Sequence, residues 1–328
     1  MSTIAAPEAD AAYRDEWRPF ERDAGPLVFL VGCQRSGTTW LHLQLARSGA
    51  FRFVSAYDVH AGEALVHNHR HGLAAAARAA FEAQLRGAAA DRGIDAIPAQ
   101  AGTPEEYGLV TGDGGLRYDR PDTTAATLPR LRELCAKKAL LEGRERPLLL
   151  KSPPDYPAAL PLLAEAWPQA RFIAIQRHPL HTLQSQVNAW RQMALRPNAY
   201  LMLIDRGYRE FIADAPRRMR QGLFLHSAAG IAWLADSILR AHLAFLQWLE
   251  AGATPHLLTL RYEDLCAGQD AAFERIGRFL GLALPAPAQA PLPRANAVAP
   301  DVLAAYEALH DRFVPFLERF GYDRVPAA

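Results

Sequence analysis

One stretch near the N-terminus carries the residue types of an oxyanion-binding loop. Residues 26–41 read PLVFLVGCQRSGTTWL: an apolar run ends at Gly32, a loop with Arg35 follows, and a helical pattern begins at Thr38. A buried strand, a glycine loop and a helix start present backbone N–H groups and a positive helix end to a phosphate or a similar group. Arg35 adds a permanent charge with a planar fork of donors. The sequence therefore predicts an oxyanion site at this loop.

The glycine spacing of the loop is that of the nucleotide-phosphate fingerprint GxxxxGK[ST], with one departure. Gly32 and Gly37 have the required separation, but Thr38 stands where the fingerprint has lysine. That lysine reaches the β- and γ-phosphates of a nucleoside triphosphate, so its replacement argues against ATP or GTP. The loop therefore favours a different oxyanion ligand.

Two later strand ends add further cationic and hydroxyl side chains. Residues 146–151 predict a short apolar strand that ends at Lys151, and a second apolar strand ends at Arg177. Pro179 is suited to the first turn of the helix that follows, and Ser185 lies about two turns into that helix. An arginine at a strand end and a serine on the next helix can both face one anion.

These motifs resemble those of sulfotransferases that use 3′-phosphoadenosine 5′-phosphosulfate (PAPS). The spelling QRSGTTWL resembles the family's 5′-phosphosulfate loop, and Arg177, His178, Pro179 and Ser185 match its pattern R-[DH]-P-x(5)-S. The resemblance implies that the loop binds the phosphosulfate and that Arg177 and Ser185 hold the 3′-phosphate. It covers about residues 26–322 of the chain.

A third segment, HLLTLRYEDL from His256, also resembles the family, as does the ending Phe320, Gly321 and Tyr322. Tyr262 is then expected either to contact the adenine side of the donor or to pack as a tyrosine at a strand end. The expected donor-binding residues are Arg35, Ser36, Gly37, Thr38, Thr39, Trp40, Arg177, Ser185, Tyr262 and Arg294.

The order of the predicted elements indicates an α/β fold: a P-loop-like parallel sheet flanked by helices, with a helical lid and acceptor region. The donor should lie at the carboxyl ends of the strands. We expect an N-terminal extension over residues 1–25, a single domain over 26–322 and a tail over 323–328. Within the domain, 61–145 and 193–250 are expected to form mostly helical acceptor and lid regions.

Local patterns also predict individual elements in the C-terminal half. The apolar spacing indicates a long helix from His226 to Glu250 and a final helix from Asp301 to Phe320. The strand that ends near Arg261 is expected to be followed by a loop.

Composition excludes several classes of protein. The 328 residues are 50% hydrophobic and 22% charged with a net charge of +1, so there is no basic field for nucleic acid. The three cysteines lack metal spacing, and no disulfide framework or metal requirement is expected. We find neither a secretory signal nor an apolar run that approaches a membrane span. The expectation is a cytoplasmic enzyme, with a homodimer left open.

The catalytic residues follow partly from chemistry and partly from the resemblance. Many sulfotransferases have lysine at the position of Arg35 and use it as a general acid. Arginine does not readily release a proton, so we expect Arg35 to stabilise charge on the leaving oxygen. Lys151 is the second cationic group expected to take part in catalysis.

The general base that deprotonates the acceptor is harder to assign. With arginine at position 35, the chain resembles tyrosylprotein sulfotransferases and bacterial tailoring sulfotransferases. The tyrosylprotein group has a glutamate some twenty residues after the loop arginine, and this chain lacks it. Asp58 fits the position better, whereas His60 needs the least adjustment of its pKa. Glu105 and Glu106 stay open as alternatives.

The acceptor is expected to be a hydroxyl, or an amine or amide, of a small molecule or natural product, since the Ala- and Arg-rich composition is typical of bacterial genomes rich in GC. A P-loop-type kinase is the first rival class, and Thr38 in the lysine position counts against it. A non-catalytic anion-binding descendant is the second. The retained Arg35, Lys151, Arg177 and Ser185 count against that class.

Overall fold

One or more helices separate each strand from the next along this chain, for which we use a computed structural model. Short 3-10 turns connect several of the helices. The structure describes residues 9–88, 92–93, 97, 99–112, 120–195, 197–252, 256–287 and 297–324.

The described residues form one five-stranded sheet in which every strand pair is parallel. The strands are β1 (Leu27–Val31), β2 (Arg52–Phe53), β3 (Leu148–Lys151), β4 (Arg171–Gln176) and β5 (Leu257–Arg261). Their order across the sheet is β2-β3-β1-β4-β5, so the first strand of the chain is central. The predicted parallel α/β architecture is confirmed.

Helices cover both faces of the sheet and form most of the remaining structure. In chain order they are α1 (Arg14–Trp17), α2 (Thr38–Arg47), α3 (Ala56–Ala61), α4 (Leu65–Arg70), α5 (Ala74–Gly87), α6 (Gly108–Thr111), α7 (Leu128–Glu142), α8 (Leu160–Ala166), α9 (Pro179–Leu195), α10 (Ala199–Ile204), α11 (Arg206–Ala213), α12 (Ala215–Leu225), α13 (Ala228–Glu250), α14 (Tyr262–Ala267), α15 (Gln269–Leu280), α16 (Pro300–Glu307) and α17 (His310–Phe320).

Successive residues of β1 face opposite helical layers. The ring of Phe29 stacks on Phe172 of β4, with centroids 5.3 Å apart, in the larger of the two main core clusters. Val28 and Leu30 belong to the other cluster and pack there with Leu41 of α2. A strand covered on both faces has no solvent side, which explains why β1 is a continuous apolar run rather than an alternating one.

Two of the local predictions were wrong. The expected final helix divides into α16 and α17, because Leu309 leaves the helical conformation (φ −115°, ψ 3°). The expected loop after β5 is instead the helix α14, which begins at Tyr262 directly after the strand. The break at Leu309 lets α16 and α17 both pack against α13.

Helix α13 corrects the expectation that no apolar run approaches a membrane span. In the described part of the chain it is the helix that satisfies the length and composition of a span, with 23 residues and a mean hydropathy of 1.3. Half of the apolar stretch within this helix is buried inside the protein, and α13 packs against α9, α16 and α17. These contacts are those of a core helix.

Candidate active site

The loop between β1 and α2 is pressed against the neighbouring strand. A Cβ added at Gly32 would lie 2.6 Å from the carbonyl oxygen of Ile175 in β4, so no larger residue fits there. Arg35 has φ +71°, and it is the non-glycine residue of the described chain with a positive φ. Such strain persists where the surroundings over-determine it, as they do in binding loops. The loop therefore holds a fixed conformation that places the Arg35 side chain.

Tyr262 closes the other side of this loop. A Cβ at Gly37, whose φ is +99°, would lie 2.3 Å from Cδ2 of Tyr262, so the aromatic ring rests directly on the glycine. The guanidinium of Arg177 lies 4.7 Å from the centroid of the same ring. The start of α14, the end of β4 and the loop are thus in direct contact.

Arg35, Arg177 and Ser185 are brought together although they come from separate segments. Nε of Arg35 donates to Oγ of Ser185 on α9 over 3.3 Å, and Arg177 donates to the backbone carbonyl of Arg35 over 2.9 Å. Gln186, next to Ser185, donates to the carbonyl of Gln34 over 2.9 Å. The loop is therefore tied to α9 at adjacent points, with two arginines at the junction.

The start of α2 offers unused donors to an oxyanion. Its N-cap is Gly37, which supplies no side-chain hydrogen bond to the first turn, so the N–H groups there remain available to a ligand. Oγ of Ser36 is buried without a hydrogen-bond partner among the described residues. Burial lowers the pKa of the Arg177 guanidinium, yet arginine stays cationic. These groups fit a phosphate or phosphosulfate.

Thr38 and Thr39 begin α2, and Trp40 points away from the loop. Thr38 is buried, and the Trp40 ring packs edge-on against Phe273 of α15, with centroids 6.2 Å apart. Trp40 therefore contacts the second core cluster.

Lys151 joins the loop to a carboxylate. Its ammonium, at the end of β3, donates to Oγ1 of Thr39 over 3.1 Å and to Oε1 of Glu106 over 2.9 Å. The backbone N–H of Tyr107 donates to the carbonyl of Lys151 over 3.2 Å, which fixes the chain beside Glu106. Lys151 is buried, and the side chain of Glu106 is 19% exposed. Lys151 thus connects the partly exposed carboxylate of Glu106 to Thr39 at the end of the loop.

His42 is a second polar neighbour that the sequence analysis missed. It lies three residues after Thr39 on α2, and that spacing places both on one helix face. Burial, followed by the charges of Lys151 and Arg92, lowers the pKa of His42 well below its usual value, while Glu106 opposes this shift. Nε2 of His42 is buried with no partner among the described residues. A buried imidazole with a lowered pKa therefore lies within electrostatic range of Lys151 and Glu106.

Asp58 is committed to structural contacts. Its carboxylate accepts from the backbone N–H of Ser55, and the Ser55 hydroxyl oxygen accepts from the backbone N–H of Asp58. The two residues therefore form the capping box of α3. The same Oδ2 accepts from Lys138 over 2.8 Å, and both side chains are buried. Asp58 therefore stabilises the start of α3 and neutralises a buried lysine.

His60 and Glu105 also have local partners. The His60 ring stacks on Phe81 with centroids 4.1 Å apart, and burial together with the charge of Arg209 lowers its pKa. Glu105 is buried, and it accepts from the hydroxyl of Tyr200 over 2.6 Å. No described hydrogen bond or ion pair links either residue to the loop.

Glu263 secures the turn that carries Arg177. One carboxylate oxygen accepts from the backbone N–H of His178 over 3.1 Å, and the other accepts from the hydroxyl of Tyr322 over 2.9 Å. The YEDL segment and the C-terminal tyrosine thus hold the turn directly after Arg177.

Arg294, the remaining expected donor-binding residue, lies outside the described residues. The nearest described contact is at Ala299, whose N–H donates to Oε1 of Gln184 on α9 over 2.8 Å. In the described ranges, no group of three or more His, Cys, Asp or Glu is arranged to hold a metal ion.

Comparison with known proteins gives a consistent result. Residues 26–286 match the model of a family described as the sulfotransferase family. No curated protein sequence matches the chain. The fold is similar to that of sulfotransferase STF9 from Mycobacterium avium, with a TM-score of 0.56 and 16% identity over 96% of this chain and 82% of that one. It is also similar to sulfotransferase STF1 from Mycobacterium tuberculosis, with a TM-score of 0.51 and 16% identity over 93% of this chain and 81% of that one.

Proposed function

Because this chain belongs to the sulfotransferase family, we propose that it transfers a sulfuryl group from PAPS to a hydroxyl, amine or amide of a small-molecule acceptor. The observation that carries the proposal is the junction of loop and helix. Arg35 contacts Ser185, and Arg177 contacts the Arg35 carbonyl. One region then offers hydrogen-bond donors for two separate anionic groups. PAPS, with its 3′-phosphate and 5′-phosphosulfate, requires such a pair of sites.

The residues divide between the two ends of the donor. The N–H groups at the start of α2, the buried Ser36 hydroxyl and Arg35 would hold the 5′-phosphosulfate. Arg177 and Ser185 would hold the 3′-phosphate. Tyr262, which lies against Arg177 and Gly37, is placed to contact the nucleoside between them. When bound, PAPS supplies the activated sulfuryl group.

The chain's own contribution to the transfer is positioning and charge stabilisation. Arg35 and the α2 terminus face the oxygen that becomes anionic as the bond to sulfur breaks. Arginine is a poor proton donor, so the role proposed for Arg35 is charge stabilisation rather than acid catalysis. Lys151 adds a second positive charge from beneath the loop through its contact with Thr39.

We assign the general base to Glu106 rather than to Asp58. The Asp58 carboxylate already serves a capping box and Lys138, and its side chain is 7% exposed. The Glu106 side chain is more open and lies on the lysine that contacts the loop. A base must reach the proton that it removes, and geometry decides this before pKa does.

A cavity beside the helix that follows Glu106 in the chain is large enough for a small chemical group. A cavity of about 130 Å³ lies between α3, α6 and α7, and α6 begins directly after Glu106 and Tyr107. Apolar side chains, among them Leu109, Val110 and Leu134, form part of its wall. We place the acceptor here and the reaction in the bacterial cytoplasm, as a tailoring step on a metabolite or natural product.

The experiment that tests the function starts with the donor product. Adenosine 3′,5′-bisphosphate binds the native state alone, so at about 100 times its Kd it should add about 2.7 kcal/mol of stability, seen as a higher melting temperature. ATP with Mg²⁺ should add much less. A panel of phenols, alcohols, amines and amides incubated with PAPS should then yield one product heavier by SO₃. A larger shift with ATP–Mg²⁺ would indicate a kinase, and bisphosphate binding without turnover of any acceptor would indicate an anion-binding descendant.

A further inference from the structure

Helix α12 and the start of α13 expose large apolar side chains that belong to none of the site contacts described above. Met219 and Leu223 are each 70% exposed, and Phe224 and Trp233 are 38% and 36% exposed. The Phe224 and Trp233 rings meet edge to face, with centroids 6.1 Å apart. We call these four residues the α12 face.

Arginines border this face. Successive helical residues turn by about 100°, so Met219 and Leu223 lie one above the other, with Arg220 and Arg217 beside them on the exposed side. Both arginines are exposed, and neither makes a side-chain hydrogen bond or ion pair within the described ranges. The helix APRRMRQGLFL has three arginines and no acidic residue.

Helix α12 is held in place by hydrogen bonds at both of its ends. Asp214 caps the start of α12 through the N–H of Arg217 over 2.9 Å. At the other end, Nε of Arg191 on α9 donates to the carbonyl of Leu225 over 3.1 Å. A Cβ at Gly230 would lie 2.0 Å from the carbonyl of Phe224, so α12 and α13 meet at a turn with no spare room. The apolar face is therefore part of the folded protein and does not need a partner in order to form.

Charge decides what covers the face. A second copy of the chain would bring its own α12 arginines to this border and no acidic residue of α12 to pair with them. An anionic lipid surface satisfies both features: the apolar side chains enter the headgroup and acyl boundary while the arginines contact the phosphates. We propose that the α12 face docks the protein on anionic membrane surfaces. The docking does not depend on the donor or the acceptor.

The test is co-sedimentation of the full chain with vesicles. Vesicles of phosphatidylcholine with phosphatidylglycerol should bind the protein, and pure phosphatidylcholine should bind it far less. Arg217→Gln with Arg220→Gln should weaken binding to the anionic vesicles about 25-fold, because each arginine near such a surface contributes about fivefold. Leu223→Glu should weaken binding at least as much, and high salt should mimic the arginine change.

Matched controls separate the face from general surface effects. Leu73 is 37% exposed on another part of the surface, and Leu73→Glu should leave vesicle binding unchanged. All of these positions are exposed, so the variants should fold with melting temperatures near that of the wild type. Two outcomes would overturn the proposal: equal binding to both vesicle types, or no binding to either. A concentration-dependent dimer that Leu223→Glu abolishes would also overturn it, because the face would then be a self-association interface.

Discussion

Three carboxylates near the predicted position of the base differ in what already occupies their oxygens. Asp58 serves a capping box and Lys138, and Glu105 serves Tyr200 from a buried position. Glu106 pairs with Lys151, which also contacts the loop threonine. Residue type alone does not distinguish these side chains. Their neighbours do: the first two hold structural contacts, whereas Glu106 pairs with the lysine that contacts the loop, which supports its proposed role as the base.

Replacement of Glu106 by Gln should therefore remove the base while keeping the shape of the side chain. We expect kcat with a hydroxyl acceptor to fall about 10²- to 10⁴-fold, the usual contribution of a positioned base. The affinity for adenosine 3′,5′-bisphosphate, measured by calorimetric titration, should stay nearly unchanged.

Asp58→Asn is the matched control for that variant. It should lower the stability by about 1–3 kcal/mol, because the buried Lys138 ammonium loses one of its two carboxylate partners while Glu142 stays paired with it. The fraction that stays folded should turn over nearly normally. If folded Asp58→Asn or His60→Gln loses kcat a hundredfold while Glu106→Gln does not, the assignment to Glu106 is wrong.

Arg177 offers a second test at this scale. Arg177→Ala should weaken the binding of PAPS by about 2–4 kcal/mol, since a charge-assisted pair is lost and a phosphate is left unpaired. Adenosine 5′-phosphosulfate, which has no 3′-phosphate, should lose much less affinity in the same titration. Equal losses for both donors would mean that Arg177 acts only by holding the Arg35 carbonyl.

At the scale of elements, the loop and α2 work as one unit because neighbours press on both sides. β4 approaches Gly32, and the Tyr262 ring at the start of α14 approaches Gly37. The strained backbone of Arg35 lies between these two close contacts. Donor binding should therefore depend on the close approach of neighbouring groups that glycine permits at these two positions.

Gly37→Ala tests this dependence, with Gly49→Ala as its control. Both glycines have positive φ, but a Cβ at Gly49 would meet nothing within 4 Å. Gly49→Ala should cost about 1–2 kcal/mol of stability from φ alone, with bisphosphate affinity unchanged. Gly37→Ala should also displace Tyr262 and weaken bisphosphate binding about tenfold or more. Identical affinities for the two variants would show that the Tyr262 contact does not matter to the donor.

At the scale of the whole molecule, buried histidines couple stability to pH. Burial lowers the pKa of His242 on α13 to about 3 and that of His178 to about 4. The His242 ring stacks on Phe316 with centroids 3.9 Å apart, and its Nδ1 lies 3.4 Å from the Tyr156 hydroxyl. His178 accepts from the N–H of Leu180 at Nδ1, so its proton is on Nε2, which donates to the backbone near the C-terminus. Both histidines are thus neutral in the native protein.

The sign of the pH dependence follows from these lowered values. Below about pH 6.5 the unfolded chain protonates both histidines while the folded chain does not, so stability is complete above that pH and falls as the pH drops toward 4. His242→Phe removes one of these protons. The slope of unfolding free energy against pH should decrease by about 1.4 kcal/mol per unit between about pH 6 and 4. Urea unfolding at several pH values measures it.

The exposed residue His69 provides the control, and His69→Gln should leave the slope unchanged. An equal slope for wild type and His242→Phe would show that His242 is already protonated in the native protein.

The sequence by itself determined the parallel α/β class, the oxyanion loop and the two arginines at its junction. These features are local: an apolar run, a glycine pair and a strand-end residue each state their role within a few positions. Membership in the family follows from the same motifs. The sequence predicted the ends of helices less accurately, since the break at Leu309 and the start of α14 depend on packing against distant elements.

The tertiary structure alone decided which acidic residue lies beside Lys151. Lys151 and Glu106 are 45 residues apart in the chain, and Asp58 and Lys138 are 80 apart. A carboxylate's role depends on which cation folding brings to it, and no local pattern carries that information. The sequence analysis missed His42 for the same reason, because only the fold buries its ring and brings it within range of the Lys151 charge. Local sequence fixes backbone shape and side-chain chemistry, while burial and long-range charge pairing assign each group its task.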